Sequence, residues 1–239
     1  MEHLEHCQRT RYNPHSLALN RVPTLFVSRG TLWNIVEHFQ RPATAVRWKL
    51  IRGYLINKET DMKFLKLYKD ASGAWLYKPR TTLRDAFAQH LLAEIQQLDF
   101  VQEFGRGTAW LGDTGLDYYY SGRSHIATGY TPRIEILTKC LNKLTGENYN
   151  HVLVNQYKPG QKLNKHKDDE KELKGSISSL SLGAPAVFDY TVDKVTLHDR
   201  DLIIGNRTFF NRFAHGVSAP LENRTRYNIT WRTIQTNGG

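Results

Sequence analysis

The stretch Asn155-Gln-Tyr157-Lys-Pro159-Gly160-Gln-Lys-Leu-Asn-Lys-His166-Lys-Asp168-Asp-Glu170 reads as a strand that breaks at Pro159-Gly160 and then presents a His and an Asp two residues apart. In extended chain, residues i and i+2 project to the same face, so His166 and Asp168 can reach one metal ion. Asn155 and Tyr157 share a face by the same rule. Downstream, short β-type runs recur at 176–182, 186–190, 194–197, 202–204, 214–218 and 226–233, each broken by Gly, Pro, Asn or Asp. The run 151–157 leads into the quoted stretch.

Two helices precede these strands. Leu83, Phe87, Leu91, Ile95 and Leu98 lie at helical spacing behind a capping-box-like Thr82-Leu-Arg-Asp85. A second helix is predicted from Thr131-Pro132, an N-cap with Pro at the first helical position. Its stripe is Ile134, Leu137, Leu141 and Leu144, and Gly146 stops it. Between them, 108–115 reads as a strand entering a turn. The run 117–122 reads as a strand with Tyr118 and Tyr120 on one face and Tyr119 on the other. Short, even strands after two helices predict an α+β sandwich or jelly roll with helices against one sheet.

Residues 1–80 differ in character. Positions 1–22 read as a loosely docked arm, 32–39 as a short helix and 48–56 as a strand. A hairpin is predicted from 62–68 and 74–77 around Asp70-Ala-Ser-Gly73. The division expected is a basic N-terminal extension, 1–80, and a catalytic domain, 81–239. The chain has 239 residues and a net charge of +10. Residues 1–80 hold 14 Lys+Arg against 6 Asp+Glu, and the remainder holds 19 against 17. The basic excess therefore sits in the first third, where a polyanion such as nucleic acid is the expected partner. At 40% hydrophobic the composition excludes a disordered chain. No apolar run approaches the ~18 residues needed for a membrane span. The first residues lack an apolar signal-peptide core. Cys7 and Cys140 make no disulfide framework, so a reducing, intracellular setting is expected: cytoplasmic, or nuclear in a eukaryote.

His-x-Asp alone is weak, because it also fits an exposed polar turn. His215, in Asn211-Arg-Phe-Ala-His-Gly-Val217 and read there as part of an apolar-flanked strand, strengthens it. Two His and one carboxylate, with positions left open, suit non-haem Fe(II). A catalytic zinc site uses the same number of protein ligands. Arg226-Tyr-Asn228-Ile-Thr230-Trp-Arg232 alternates, with Arg226, Asn228, Thr230 and Arg232 on one face. A solvent-facing strand alternates in the same way. Beside a metal, however, two Arg and an Asn would hold a dicarboxylate through charge-assisted bonds. An oxygenase that consumes 2-oxoglutarate has use for such a site; a hydrolytic zinc enzyme has none.

These residues resemble a known family. From about Thr108 to Thr233 the chain is similar to the AlkB family of Fe(II)/2-oxoglutarate-dependent dioxygenases, above all to members that repair alkylated nucleobases. The motifs are Gly112-Asp113, Tyr118-Tyr-Tyr-Ser-Gly122, Asn155-x-Tyr157-x-x-Gly160, His166-x-Asp168-Asp-Glu170, Ser181-Leu-Gly183, His215-Gly216 and Arg226-Tyr-Asn-Ile-Thr-Trp-Arg232, in the family's order. The resemblance implies a double-stranded β-helix (jelly-roll) core. It implies Fe(II) on His166, Asp168 and His215, and 2-oxoglutarate on Asn155, Tyr157, Arg226, Asn228 and Arg232, with O2 as second co-substrate. It places Tyr118, Tyr120 and Glu170 at the base. The activity implied is oxidative demethylation of N-alkylated bases in DNA or RNA by a monomer. Rivals are a base-hydroxylating or protein-modifying oxygenase of the same fold, and a nucleic-acid-binding module with a vestigial metal site. Ala214 and Trp231 depart from the family pattern, and residues 1–80 match none of it.

Overall fold

The computed structural model describes residues 64–79, 83–120 and 122–235. The expected arm, helix 32–39 and strand 48–56 lie outside the described residues. In chain order the elements are β1 (Phe64–Lys69), β2 (Trp75–Pro79), α1 (Asp85–Ile95), β3 (Val101–Glu103), β4 (Arg106–Gly112), β5 (Asp117–Tyr120), β6 (Arg123–Ile126), α2 (Pro132–Thr145), β7 (His151–Tyr157), β8 (Leu163–His166), β9 (Leu173–Gly183), β10 (Ala186–Tyr190), β11 (Asp193–Leu197), β12 (Leu202–Asn206), α3 (Arg207–Arg212), β13 (His215–Val217) and β14 (Arg226–Ile234).

An eight-stranded sheet runs β1-β2-β12-β9-β14-β7-β4-β3, and a four-stranded sheet runs β11-β10-β13-β8. Strands β5 and β6 form a separate hairpin. This is the jelly-roll core expected from the short strands. β14 shows how the sequence builds it. Tyr227, Ile229 and Trp231 pack with Leu91, Ile134 and Leu137 of the two helices. Arg226, Asn228, Thr230 and Arg232 project from the opposite face into the cleft between the sheets. The alternation is thus not that of a solvent-facing strand, because both faces are buried. Trp231, 0% exposed, donates Nε1 to Thr138 Oγ1 at 2.8 Å. A second cluster, with Phe188, Leu197, Ile203, Phe209 and Phe210, fills the space on the cleft side.

Several expectations are corrected. α1 starts at Asp85 with Arg84 at the N-cap and no side-chain cap, so the capping box does not form. Thr131 occupies the N-cap of α2 without a side-chain bond, while Gly146 ends that helix at φ 74°, where only a residue without Cβ is unstrained. Asn211 and Arg212 close helix α3 rather than belonging to a strand. Asn206 caps α3 by accepting from Phe209 N at 3.1 Å, and its Oδ1 also accepts from Trp75 N at 3.0 Å. That second bond pins the β1–β2 hairpin, and β2 pairs with β12. Residues 64–79 are therefore continuous with the main sheet. No helix among the described residues is long and apolar enough to cross a membrane.

Candidate active site

The metal residues come from two neighbouring strands and the loop after one of them. His166 ends β8, and His215 opens β13, directly opposite it in register. Gly216 makes that approach possible: a Cβ there would lie 2.8 Å from the Leu163 carbonyl oxygen. Asp168 follows β8 and is held by its backbone N–H to the Phe210 carbonyl at 3.1 Å. His166 Nε2 lies 3.6 Å from Asp168 Oδ1, and His215 Nε2 lies 3.7 Å from Oδ2. Candidate ligand atoms of all three fall within 4.8 Å of one another.

Each ring has one nitrogen committed to the backbone. Nδ1 of His166 meets the Asn164 carbonyl, and Nδ1 of His215 meets the Phe213 carbonyl, both at 3.1 Å. A carbonyl only accepts, so each Nδ1 carries the proton and each Nε2 is a free lone pair aimed at the carboxylate. Burial lowers His215 to a pKa of about 4, keeping it a neutral ligand. Burial alone would raise Asp168, but the neighbouring Arg232 guanidinium outweighs it and holds the carboxyl well below its ordinary range. The arrangement is a preformed two-His, one-carboxylate set, as a divalent transition metal requires.

The cleft beyond it is strongly cationic. Arg226 is 1% exposed and donates Nη2 to Ser181 Oγ at 2.9 Å. Its Nε and Nη1 have no partner among the described residues, and neither do Nε and Nη1 of Arg232. Arg232 Nη2 reaches Asp168 Oδ1 at 3.5 Å. Tyr157 lies under Arg226, the guanidinium carbon 5.3 Å from its ring centre, and its buried hydroxyl is also unpartnered. Buried donors without acceptors are costly, so this cradle fits an anion carrying two carboxylates. Asn155 and Asn228 line the same cleft. The structure therefore brings the three metal candidates and Asn155, Arg226, Asn228 and Arg232 to one cleft, with Tyr157 packed against Arg226.

Tyr118 and Tyr120 line the same cleft. Their rings stack at 6.0 Å with 24° between planes. Glu170 does not line it. Its Oε2 is buried with no partner among the described residues, and burial, then Asp168, raises its pKa.

The cleft is also lined by Arg106, Trp110, Ser179 and Thr230, which the sequence did not single out as site residues. The signal existed, since Arg106, Thr108 and Trp110 alternate with Gly107, Ala109 and Leu111 on β4. Trp110 is held by Glu103 Oε1, which accepts from its Nε1 at 3.0 Å, and it stacks on His125 at 3.9 Å.

His151 lies beneath this wall, 0% exposed, with neither ring nitrogen partnered among the described residues. Its ring meets Tyr118 edge-on at 5.0 Å. Burial, then Arg232 and His125, pushes its pKa from 6.5 down to about 3. Between those values the unfolded chain binds a proton that the folded chain does not, so His151 makes stability fall as pH drops through that window. His151→Phe removes that proton site and two unpaired polar atoms. Urea unfolding of metal-free protein is expected to show the variant more stable at pH 7 by about 1 kcal/mol, with a larger margin at pH 5. A margin that is constant or shrinking toward pH 5 would contradict it.

Comparison with known proteins places this geometry. Residues 49–232 match the 2OG-Fe(II) oxygenase superfamily, and the chain belongs to that superfamily. Fe(II), 2-oxoglutarate and O2 are the cofactor and co-substrates that this membership implies, and the donor set and paired arginines described above fit them. DNA oxidative demethylase ALKBH2 of Mus musculus is 32% identical over 163 residues, which cover 60% of this chain and 67% of that protein. The Bos taurus protein of the same name is 40% identical over 39% of this chain and 34% of its own length. Alpha-ketoglutarate-dependent dioxygenase AlkB of Escherichia coli K12 is 35% identical over 34% of this chain and 43% of its own. Within the superfamily, the chain belongs to the AlkB family. The matched stretches span from 34% to 67% of these relatives' lengths. Among solved structures, a viral collagen prolyl hydroxylase from Paramecium Bursaria Chlorella virus-1 matches 64% of this chain at 15% identity, with a TM-score of 0.46.

Proposed function

We propose that this chain is an Fe(II)- and 2-oxoglutarate-dependent dioxygenase that oxidatively demethylates N-alkylated nucleobases in DNA or RNA. One observation supports it above the others: the metal triad, the two buried arginines with unpaired donors, and the Tyr118–Tyr120 wall line a single cleft. The names of its relatives, a DNA oxidative demethylase and an alpha-ketoglutarate-dependent dioxygenase, point the same way.

In this reading His166, Asp168 and His215 hold the metal through their Nε2 atoms and the carboxylate. Arg226 takes one carboxylate of 2-oxoglutarate, with Tyr157 beneath it. Arg232 takes the other while keeping Asp168 ionised, Asn155 completes the cradle, and Asn228, whose amide hydrogens go to Ser179 and the Leu180 carbonyl, holds Asn155 in place. The bound iron, 2-oxoglutarate and O2 supply the oxidation that hydroxylates the N-alkyl carbon, which then leaves as an aldehyde. The protein positions the partners and excludes water. Apolar Ile177, Leu197, Ile203 and Val217 keep the far side of the cleft dry. Tyr118 and Tyr120 stack on a base swung out of its strand, because a base edge inside the stack is out of reach. Glu170 stands near them to accept from an exocyclic nitrogen. The basic residues 1–80 serve as a grip on the phosphate backbone.

The test is a panel of N-methylated DNA and RNA oligonucleotides with Fe(II) and 2-oxoglutarate, read by mass spectrometry. Loss of the methyl group with formaldehyde release is expected. Products that retain the added oxygen would transfer the chain to the base-hydroxylating class. Succinate formation without any change in nucleic acid would sink the substrate assignment.

A further inference from the structure

Arg106 on β4 is a buried guanidinium, 2% exposed, that faces the cleft. Among the described residues no carboxylate pairs with it. Its Nε donates to Asn155 Oδ1 at 2.6 Å, and Nη1 donates to the Phe104 carbonyl at 3.3 Å. A guanidinium has no acceptor, so the Asn155 atom it meets must be the amide oxygen. The Asn155 amide nitrogen then donates to Asn228 Oδ1 at 3.4 Å, which also accepts from Thr230 Oγ1 at 2.9 Å. At the far end, Asn228 Nδ2 donates to Ser179 Oγ at 2.7 Å and to the Leu180 carbonyl at 3.1 Å.

This ribbon crosses β4, β7, β14 and β9, four adjacent strands of the large sheet. Its two ends are chemically one-way. Arg106 can only donate, the Leu180 carbonyl can only accept, and both ends require the same amide orientations. Asn228 spends both amide hydrogens inside the ribbon. Asn155 spends one and keeps one. A dicarboxylate needs donors around it, and an amide oxygen turned toward it would repel.

We propose that Arg106 is a positioning residue for the 2-oxoglutarate cradle, clamping the Asn155 amide so that its oxygen is taken up and its remaining N–H is free for the co-substrate. The proposal rests on the reading of Asn155 as a co-substrate residue. A bracing role alone, holding the β3–β4 turn through the Phe104 carbonyl, would change stability and leave affinity for 2-oxoglutarate untouched.

Calorimetric titration of 2-oxoglutarate into manganese-loaded protein separates these roles, with thermal unfolding as a check on the fold. Arg106→Met is expected to weaken binding about tenfold or more, the scale of a lost charge-assisted bond. Arg106→Lys, which can still donate, should lose less. In an Asn155→Ala background, Arg106→Met should weaken binding no further. Wild-type affinity in R106M overturns the proposal, and so does a loss that persists undiminished without the Asn155 amide. Wild-type affinity in N155A would instead remove Asn155 from the cradle and the proposal with it. If R106M does not fold, R106K against N155A carries the same comparison.

Discussion

His166→Ala protein is expected to fold as the wild type does and to form no succinate from 2-oxoglutarate above background, a loss on the order of 10³-fold or more. Each of the three candidate ligands also has a place in the fold. Asp168 is 2% exposed and faces Arg232, so removing it strands a buried guanidinium at a cost of about 3–5 kcal/mol and confuses chemistry with folding. His215 is 5% exposed and packs against Phe188 and Phe210. The side chain of His166 is 22% exposed, and among the described residues its ring nitrogens meet only the Asn164 carbonyl and Asp168. Alanine there removes one of three candidate ligands and little packing. Oxygen uptake and succinate release, measured with added iron and with unfolding curves for both proteins, check the expectation. Full turnover in this variant would sink the assignment of the metal site.

The candidate metal and dicarboxylate residues were legible because strand geometry is periodic. His166 and Asp168 lie two apart, and the polar residues of 226–232 lie on alternate positions, so residue spacing translates directly into a shared face. What spacing could not decide was which way each face looks. The Arg226–Arg232 alternation fits water as well as it fits a cleft. Only the packing of Tyr227, Ile229 and Trp231 beneath the helices shows that the polar side is interior. The two-sheet architecture was readable from short strands after two helices for the same local reason.

What stayed hidden depends on contacts between distant parts of the chain. β8 is four residues long and carries Asn, Lys and His, so neither length nor hydropathy marks it as a strand. It exists because β13 pairs with it. The hairpin at 64–79 was recognised, but its place at the edge of the main sheet rests on Asn206, 131 residues from Trp75. Arg106 had a visible alternation around it, yet its significance lies in Asn155, 49 residues on. Glu170 was named from its position just past Asp168, and the structure leaves it near the cleft without lining it.

Arg226→Met is expected to weaken 2-oxoglutarate binding by about 10²–10³-fold while leaving the ligand-free protein as stable as the wild type or more so. The two halves have one cause. Folding buries the Arg226 guanidinium, and burial lowers its pKa, with Tyr157 offsetting only part of the effect. Two of its three nitrogens find no partner among the described residues. Without a carboxylate this is a desolvated cation held by one serine and the face of Tyr157. Methionine fills comparable space with no charge to desolvate, and replacing a buried ion by an apolar side chain is often neutral or stabilising. With a carboxylate present the balance reverses. The wild type makes a desolvated, bidentate-capable pair worth about 3–5 kcal/mol, and R226M leaves the anion facing a thioether. Thermal unfolding with and without 2-oxoglutarate at one fixed concentration reads both halves, since a ligand that binds only the folded state raises the midpoint with the logarithm of its concentration over Kd. The wild type should show a ligand-dependent rise, and R226M should start as high or higher and show almost none. An R226M protein that keeps the wild-type rise would remove Arg226 from the cradle. One that is destabilised by several kcal/mol without ligand would mean that the guanidinium is satisfied by the fold itself.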